Sequence, residues 1–272
     1  MRYLKLGQAG PVGVIGGAAT ALYLLFVGLP VLALLLRAAQ HGDFLASLTS
    51  PLTLQALRLS LLTSLLSMVI VVLVGTPFAH LLARNSSPPL RLLDTLVELP
   101  IVLPPVVAGV AMLMAFGRGG LLGPALAKLG VSLPFTTAAV VFAQVFVAAP
   151  FYIRAARLGF QSVVRDYEDV SLTLGVSPWG TFWRLTLPLA WPAMLGGLAL
   201  AWARAISEFG ATLLFAGNLT GRTQTMPLAI MTAMESSLGA ALALSVLLLV
   251  LSALVLTGLG LVARPPRGAV KP

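Results

Sequence analysis

Residues 169–188 read DVSLTLGVSPWGTFWRLTLP, a polar segment that ends at a proline and lies between two long apolar stretches. The whole chain is 58% hydrophobic and 9% charged, with a mean hydropathy of +1.00. A soluble core cannot use so much apolar surface, whereas a hydrocarbon layer about 30 Å thick requires long apolar helices. The segment is therefore predicted to connect two helices of an all-α, multi-pass membrane protein.

Six apolar stretches are long enough to be predicted as transmembrane helices. They cover residues 12–36, 57–82, 96–116, 135–153, 189–215 and 238–262. The third stretch contains Pro104 and Pro105, which lack the amide donor of a regular helix. A kink or an opening is expected there, with carbonyl groups that need protein or water nearby.

Lysine and arginine fall unevenly on the two sides of this arrangement. With a cytoplasmic amino terminus, the inner segments hold eleven of them: Arg2, Lys5, Arg84, Arg91, Arg154, Arg157, Arg165, Arg184, Arg264, Arg267 and Lys271. The outer segments hold Arg37, Arg118, Lys128 and Arg222. Because an excess of positive charge marks the cytoplasmic side, both termini and the segment 169–188 are predicted to be cytoplasmic.

The polar segment is predicted to contain two short helices. Glu168 and Asp169 suit the start of the first helix, where negative side chains meet the positive end of the dipole. Gly175 permits the left-handed conformation that commonly ends a helix. Ser177 and Pro178 form a capping residue and a first-turn residue for the second helix.

The second helix is expected to end at residues 187–188 and to carry three aromatic rings on one face. Trp179, Phe182 and Trp183 stand at positions i, i+3 and i+4. An amphipathic helix that rests its rings at the lipid headgroups is one interpretation of this face. A helix that binds another protein is the other interpretation.

The spacing of the segment resembles the cytoplasmic signature of binding-protein-dependent ABC importer permeases. That signature is Glu-Ala-Ala, three residues, Gly, nine residues, Ile, one residue and Leu-Pro. The residues in register are Gly175, Leu187 and Pro188, with Leu185 in the Ile place. The start departs from the signature, because residues 169–171 are Asp-Val-Ser and Glu168 stands one place early.

Two further stretches resemble one group of these permeases, those for molybdate, tungstate and sulfate. The first is WARAISEFGAT at residues 202–212, followed by AGN at 216–218 and RTQT at 222–225. The second is LPIVLPPVVAG at residues 99–109, followed by FGRGG at 116–120, which favours molybdate within the group. The similarity covers about residues 54–261.

The resemblance implies a type I ABC importer permease fold of six transmembrane helices in a bacterial or archaeal inner membrane. The permease core would cover residues 54–261, preceded by a helix and outer loop at 1–53 and followed by a basic tail at 262–272. An ATPase-coupling loop is expected at 165–188, with these candidate residues: Glu168, Asp169, Gly175, Ser177, Pro178, Trp179, Leu187 and Pro188.

The same resemblance implies the partners. A second copy of the chain would complete the pathway, and two ATP-binding subunits would grip the coupling loops from the cytoplasm. An extracytoplasmic binding protein would deliver the oxyanion onto the loops at 117–135 and 217–237. The chain itself is expected to bind no cofactor, because ATP and Mg would be held by the partner ATPase, and no nucleic-acid partner is expected.

Charges and prolines within the predicted spans give candidate residues for the pathway or its gate. Arg204 and Glu208 are four residues apart and can pair on one helical face. They form either a structural ion pair or a pair beside the pathway, where ionisable groups in membranes are usually found. Ser207 lies between them. Pro104 and Pro105 mark either a static kink or a bend that lines the pathway and moves with the gate.

Absent motifs exclude several other functions. A P-loop needs Gly-Lys-Ser or Gly-Lys-Thr, and none of Lys5, Lys128 and Lys271 follows a glycine. The chain has no cysteine, and its two histidines are too far apart for a His-Glu-x-x-His zinc helix. An enzyme is therefore not expected. The alternative function is an ion-coupled secondary transporter or channel without an ATPase, although such carriers often show internal repeats and coupling carboxylates that are not evident here.

Overall fold

Helices form the regular structure of the described part of the chain, residues 11–85 and 87–263 of the computed structural model, and no strand occurs there. This confirms the predicted all-α fold. The helices are α1 (Pro11–Gln40), α2 (Phe44–Leu48), α3 (Pro51–Arg84), α4 (Pro88–Val102), α5 (Pro105–Phe116), α6 (Gly123–Lys128), α7 (Thr137–Ser162), α8 (Arg165–Thr173), α9 (Pro178–Thr181), α10 (Leu187–Ile206), α11 (Gly210–Ala216), α12 (Met226–Ser236) and α13 (Leu238–Val262), with a π turn at Phe182–Thr186 between α9 and α10.

Hydroxyl side chains cap the starts of three of the long helices. Ser50, Thr136 and Ser237 each accept a hydrogen bond from the backbone N–H three residues later. Pro51 then occupies the first turn of α3, where a missing N–H leaves no bond unmade. These local signals fix where α3, α7 and α13 begin.

The kink or opening expected at Pro104 and Pro105 is confirmed, and the predicted span at residues 96–116 consists of two helices, the first of which begins earlier, at Pro88. α4 and α5 meet at an angle of 119°. Leu103 and Pro104 are both extended, with ψ of 129° and 135°. Each of them precedes a proline, and a residue before proline disfavours the helical conformation. The described chain thus has five helices long and apolar enough to cross a membrane, or six when α4 and α5 count as one broken span.

The prediction of an unbroken fifth span at residues 189–215 is wrong. α10 ends at Ile206 and α11 begins at Gly210. Glu208 lies in the break, and its Oε1 accepts a hydrogen bond of 2.8 Å from the N–H of Ala211. The carboxylate thus accepts from a backbone N–H that has no helical partner at the start of α11, and it caps that helix.

The second helix of the 165–188 segment does not end at residues 187–188, contrary to expectation. The N–H of Leu187 donates to the carbonyl of Phe182, five residues earlier, and closes the π turn. This wider turn stands where a regular α turn would press the ring of Pro188 against the carbonyl of residue 184. α9, the π turn and α10 therefore form one continuous helix, Pro178–Ile206.

The predicted outer loops contain helices of their own. α6 lies within residues 117–135, and α12 lies within residues 217–237. α12 packs against α3 and α13 through a buried cluster that includes Met226 and Leu244. These segments are consequently more ordered than simple connections.

The centre of the fold is α7, which packs between α3 and α10. Small residues let α7 and α10 approach closely: a Cβ added to Gly197 would lie 2.3 Å from that of Ala155, and one added to Gly159 would lie 2.9 Å from that of Ala193. Close backbone approach at small residues is typical of membrane helix pairs, because lipid supplies no hydrophobic force between helices.

Hydrogen bonds between side chains join α7 and α10 to α3. Ser67 donates to Oε1 of Gln144 at 3.0 Å, and Tyr152 and Thr76 share a bond of 2.6 Å between their hydroxyl groups. The indole of Trp202 donates to Ser64 at 3.0 Å. Polar side chains within the apolar spans are thereby satisfied by neighbouring helices.

Five of the eleven cations assigned to the inner side lie outside the described residues: Arg2, Lys5, Arg264, Arg267 and Lys271. The basic tail at 262–272 falls almost wholly in the same part of the chain. The described Arg84, Arg157 and Arg165 lie together near the end of α3, which agrees with their assignment to a common side. The orientation and the domain boundaries stay predictions.

We expect Gly197→Ala to lower the free energy of unfolding by about 1–3 kcal/mol, because the added Cβ would force α7 and α10 apart. Gly196→Ala is the matched control, since a Cβ at Gly196 meets no described atom within 4 Å. Thermal unfolding of the purified protein in detergent measures both variants. Equal losses for the two substitutions would contradict the proposed packing.

Candidate coupling site

Residues 165–188, called here the coupling element, form a helical hairpin that projects from the ends of α3, α7 and α10. Gly175 has a φ of +81°, so the predicted left-handed end of α8 is confirmed. Ser177 accepts a hydrogen bond of 3.1 Å from the N–H of Gly180, and Pro178 occupies the first turn of α9, as predicted. The turn thus positions α8 beside α9 without a long flexible loop.

The carboxylate of Glu168 anchors the coupling element to two other parts of the fold. Nη2 of Arg84 at the end of α3 lies 2.5 Å from its Oε1, and the hydroxyl of Thr186 donates to the same oxygen at 2.6 Å. The ion pair is mostly buried, with side-chain exposures of 15% and 19%. Glu168 therefore ties α8 both to α3 and to the π turn that leads into α10.

Asp169 has a different environment from its neighbour. It occupies the place of the signature glutamate in the register of the sequence, yet it is exposed, and its carboxylate makes no side-chain hydrogen bond among those seen in the described residues. The structure thus separates two acidic positions that sequence spacing alone leaves close to equivalent. Glu168 faces the fold, and Asp169 is available to a partner.

Further polar contacts hold the base of the coupling element. Ser171 and Thr181 share a hydrogen bond of 2.9 Å between α8 and α9. Arg165 donates to the carbonyl oxygen of Arg84 at 2.9 Å, and Arg84 donates to that of Val163 at 3.4 Å. The start of α8 is consequently fixed to the end of α3 by main-chain as well as side-chain atoms.

The aromatic residues of α9 and the π turn form the predicted cluster. The ring centroids of Trp179 and Phe182 are 6.1 Å apart, and those of Phe182 and Trp183 are 5.6 Å apart. Phe182 also meets the edge of His80 at 5.1 Å, which in turn contacts Phe160 of α7. The inner rings pack on α3 and α7, while Trp179 and Trp183 stay exposed.

The outer surface of α8 and the turn exposes several large apolar side chains among its charged ones. Exposed side chains there are Tyr167, Val170, Leu172 and Leu174, and Leu174 at the tip is 78% exposed. Contiguous exposed apolar side chains on a soluble-facing surface mark contact sites for other proteins. The coupling element therefore has an inner side held by polar contacts and an outer side that exposes apolar side chains.

The two breaks in the spanning helices lie side by side. A Cβ added to Gly210 would lie 2.9 Å from Cβ of Pro105, and one added to Gly109 would lie 2.8 Å from Cβ of Leu214. α5 and α11 thus pack closely along their short lengths. The structure brings together the candidate pathway residues that the sequence places in separate stretches, near residues 104–105 and 207–208.

Arg204 and Glu208 form the predicted ion pair, with Nη1 and Oε2 2.6 Å apart. They do not share one continuous helix, because Glu208 follows the end of α10. The carboxylate is 1% exposed and the arginine side chain 28% exposed. Glu208 therefore caps α11 and pairs with the partly exposed Arg204, and a role for either residue beside the pathway stays a prediction.

Sequence reasoning missed Arg84 and Thr186 as contacts of the coupling element. Arg84 is 84 residues before Glu168, so only the packed fold brings them together. Nothing in the sequence distinguished Thr186, because a threonine within a helix can donate to the carbonyl four residues earlier. In the described residues, no three His, Asp or Glu side chains form a cluster that could hold a metal ion.

We expect Glu168→Gln to loosen the coupling element, because it removes a charge-assisted contact that contributes about 1.5–3 kcal/mol. Limited proteolysis within residues 165–188 of the purified protein should be faster, and the thermal midpoint lower. Asp169→Asn removes an exposed charge one residue away and is the matched control. Equal resistance to proteolysis in Glu168→Gln and Asp169→Asn would contradict the anchoring role.

Two of the relatives found by comparison are permease proteins for oxyanions. The molybdenum transport system permease protein ModB of Mycobacterium tuberculosis is 45% identical over 90% of this chain and 92% of its own length. The sulfate transport system permease protein CysW of Synechococcus elongatus is 36% identical over 75% of this chain and 74% of its own length.

A solved structure has the same fold. A chain of the bacterial alginate ABC transporter, crystallised with an alginate pentasaccharide-bound periplasmic protein, superposes with a TM-score of 0.75 at 16% identity, over 93% of each chain. The family model described as binding-protein-dependent transport system inner membrane component matches residues 75–264. This chain therefore belongs to the family of binding-protein-dependent transport system inner membrane components.

Proposed function

We propose that this chain is the permease subunit of an ATP-driven importer for a tetrahedral oxyanion, with molybdate as the preferred substrate. The observation that carries the proposal is the coupling element, anchored through Glu168 and continuous with α10 through the π turn. Family membership and a relative named as a molybdenum permease support the class of transporter and the substrate. The chain performs no catalysis in this scheme.

The coupling element is suited to receive motion from a separate ATPase. Its apolar tip, with Leu174 and Trp179 exposed, offers a surface for a protein partner. Movement of α9 passes directly into α10, because the helix runs from Pro178 to Ile206 without a gap. Movement of α8 passes into α3, because Glu168 holds Arg84. One contact surface therefore acts on two spanning helices.

The pathway requires a second copy of the chain in this scheme. Within the described residues, Pro104, Pro105 and Val106 at the start of α5 are exposed, although they lie beside the buried break at Glu208. In a dimer, two such faces would enclose one pathway across the membrane. Closure of two ATP-binding subunits, which hold ATP and Mg, would then move both coupling elements together, and hydrolysis would reset them.

The substrate assignment follows from the relatives and from the local sequence. ModB and CysW are named for molybdenum and for sulfate, so a tetrahedral oxyanion is the common class. The higher identity to ModB, 45% against 36%, favours molybdate. An extracytoplasmic binding protein would deliver this anion to the surface near α6 and α12, with both termini of the chain in the cytoplasm.

The alternative of an ion-coupled carrier or channel has less support. Family membership indicates dependence on a binding protein. Within the described spans, Glu208 is fixed by Arg204 and by the N–H of Ala211, so it is poorly suited to exchange a proton or bind a coupling ion. A carrier of this kind would also leave the apolar tip of the coupling element exposed without a partner.

We expect Leu174→Asp to weaken association with the ATP-binding subunit, because it places a charge in the middle of the apolar tip. The matched control is Leu121→Asp, which changes a leucine that is also highly exposed but lies on the predicted outer side. Copurification of the ATPase with each variant, at equal levels of permease in the membrane, gives the readout. Retention of the ATPase by Leu174→Asp at the control level would contradict docking at this tip.

We expect reconstituted vesicles that contain the permease, its ATPase and the cognate binding protein to accumulate molybdate only with ATP. Tungstate should compete strongly and sulfate weakly, because the assignment places molybdate first. Vesicles with a hydrolysis-deficient ATPase serve as the control. Preference for sulfate would overturn the substrate, whereas uptake without ATP would overturn the importer mechanism.

A further inference from the structure

Polar side chains form two facing stripes on α4 and α7, towards the ends of these helices that are predicted to be cytoplasmic. Within each stripe the side chains recur at intervals of three, four or seven residues, so they share one helical face. The stripes face each other, because Asp94 pairs with Arg157 and Glu98 pairs with Arg154. We call them together the polar track, and its members are Arg91, Asp94, Thr95 and Glu98 on α4 and Arg154, Arg157 and Gln161 on α7.

The two ion pairs of the polar track differ in how firmly they are made. Arg157 donates a hydrogen bond to Asp94, and both side chains are 29% exposed. Nε of Arg154 lies 3.7 Å from Oε1 of Glu98, which is too long for a hydrogen bond. These two side chains are 63% and 43% exposed, and this loose pair is their polar contact among the described residues. The donors of Arg154 are therefore both unused and accessible.

The loose pair lies at membrane depth. Arg154 stands eight residues before the end of α7, and Glu98 stands ten residues after the start of α4. These positions correspond to about 12 Å and 15 Å along the two helices. Ionisable side chains at such depth almost always face the protein interior or a water-filled cavity. An exposed carboxylate beside an exposed guanidinium thus indicates water on this face, not lipid.

The opposite face of α4 is the one suited to lipid. It carries the exposed leucines Leu92, Leu96 and Leu99, which lie away from the polar track around the helix. α4 is therefore amphipathic, although it lies within an apolar part of the chain. A helix with lipid on one side and water on the other lies at the wall of an aqueous passage.

The loose pair also lies next to the break between α4 and α5. Val102 stands one turn after Glu98, on the same face, and is 80% exposed as the last residue of α4. Pro104 and Pro105 follow and are also exposed. An open face therefore runs from the break at residues 103–104 to the loose pair and on to the inner end of the polar track.

We propose that Arg154 and Glu98 line the cytoplasmic half of the transport pathway, and that Arg154 contacts the oxyanion as it leaves. This inference rests on the proposed function and adds a specific residue to it. The guanidinium offers several charge-assisted hydrogen bonds to a tetrahedral anion. Glu98 competes for the same guanidinium, so the anion is held weakly. A site within a pathway must bind well enough to be entered and weakly enough to be left.

The test uses the absence of cysteine from the chain, which makes any introduced thiol a specific reporter. Glu98→Cys is prepared in the full chain with its ATPase in lipid nanodiscs. Two methanethiosulfonates of similar size are compared, an anionic sulfonate and a cationic trimethylammonium. We expect both to modify the thiol, because the reactive thiolate forms only in water. The sulfonate, itself a tetrahedral anion, should react about five- to tenfold faster, since Arg154 attracts it.

A second variant separates the role of Arg154 from simple exposure. Glu98→Cys combined with Arg154→Gln should remain reactive but lose most of the preference for the sulfonate. If Glu98→Cys inserts poorly, Val102→Cys on the same open face serves in its place, with and without Arg154→Gln.

Leu254→Cys is the matched control for depth and exposure. Leu254 also stands eight residues before the end of its helix, α13, and is 63% exposed. Its surroundings on α13 are apolar, so we expect it to face lipid and to resist both reagents.

Three results would overturn the proposal. The first is equal resistance of Glu98→Cys and Leu254→Cys, which would place the loose pair against lipid or against a second copy of the chain. The second is modification without a preference for the sulfonate. The third is a preference that survives Arg154→Gln. Modification needs no uptake, so ATP-driven accumulation of molybdate by the unmodified protein tests the proposed function separately.

Discussion

The close approach of α7 and α10 is the contact on which the rest of the structure depends. Gly197 faces Ala155, and Gly159 faces Ala193, at distances that leave no room for larger side chains. Because lipid tails are as apolar as the side chains, no hydrophobic force drives the two helices together in a membrane. Their association relies on this packing and on a few hydrogen bonds. α3 joins α7 through Ser67 and Thr76, and it joins α10 through Ser64. The three helices are therefore held together by close packing and by side-chain hydrogen bonds.

Two interruptions of the spanning helices lie beside this packed centre. Residues 103–104 and 207–209 leave the helical conformation within the apolar part of the chain, where unpaired backbone groups are costly. The fold reduces that cost locally: the N–H of Ala211 finds the carboxylate of Glu208, and α5 and α11 pack closely on each other. Irregular backbone at membrane depth is tolerated where it is buried in protein or lines a cavity. Under the proposed function, the exposed start of α5 beside these breaks would line the pathway.

The sequence predicted the features that depend on neighbouring residues, such as helix ends and turns. Features that depend on contacts between distant residues were not predicted. α13 has the predicted bounds of 238–262 because an uninterrupted apolar run carries its own cap at Ser237. The turn at Gly175 and Ser177 was equally local. The 119° bend was not predictable in size, because prolines forbid the helix without choosing a direction. The anchor at Glu168 was hidden, since its partner Arg84 is remote in sequence and family spacing pointed to Asp169 instead.

The contacts of Arg84 join the coupling element to the ends of the spanning helices. Its guanidinium holds Glu168 and the carbonyl of Val163, and its own carbonyl accepts from Arg165. α3 and α8 are therefore joined on both sides of this residue, while α9 continues into α10. Under the proposed function, a force on the coupling element would pass into α3 through the Arg84 contacts and into α10 through the continuous helix. The interruptions at residues 103–104 and 207–209 would then be the places where the spanning helices can bend, because no regular helical hydrogen bonds cross them.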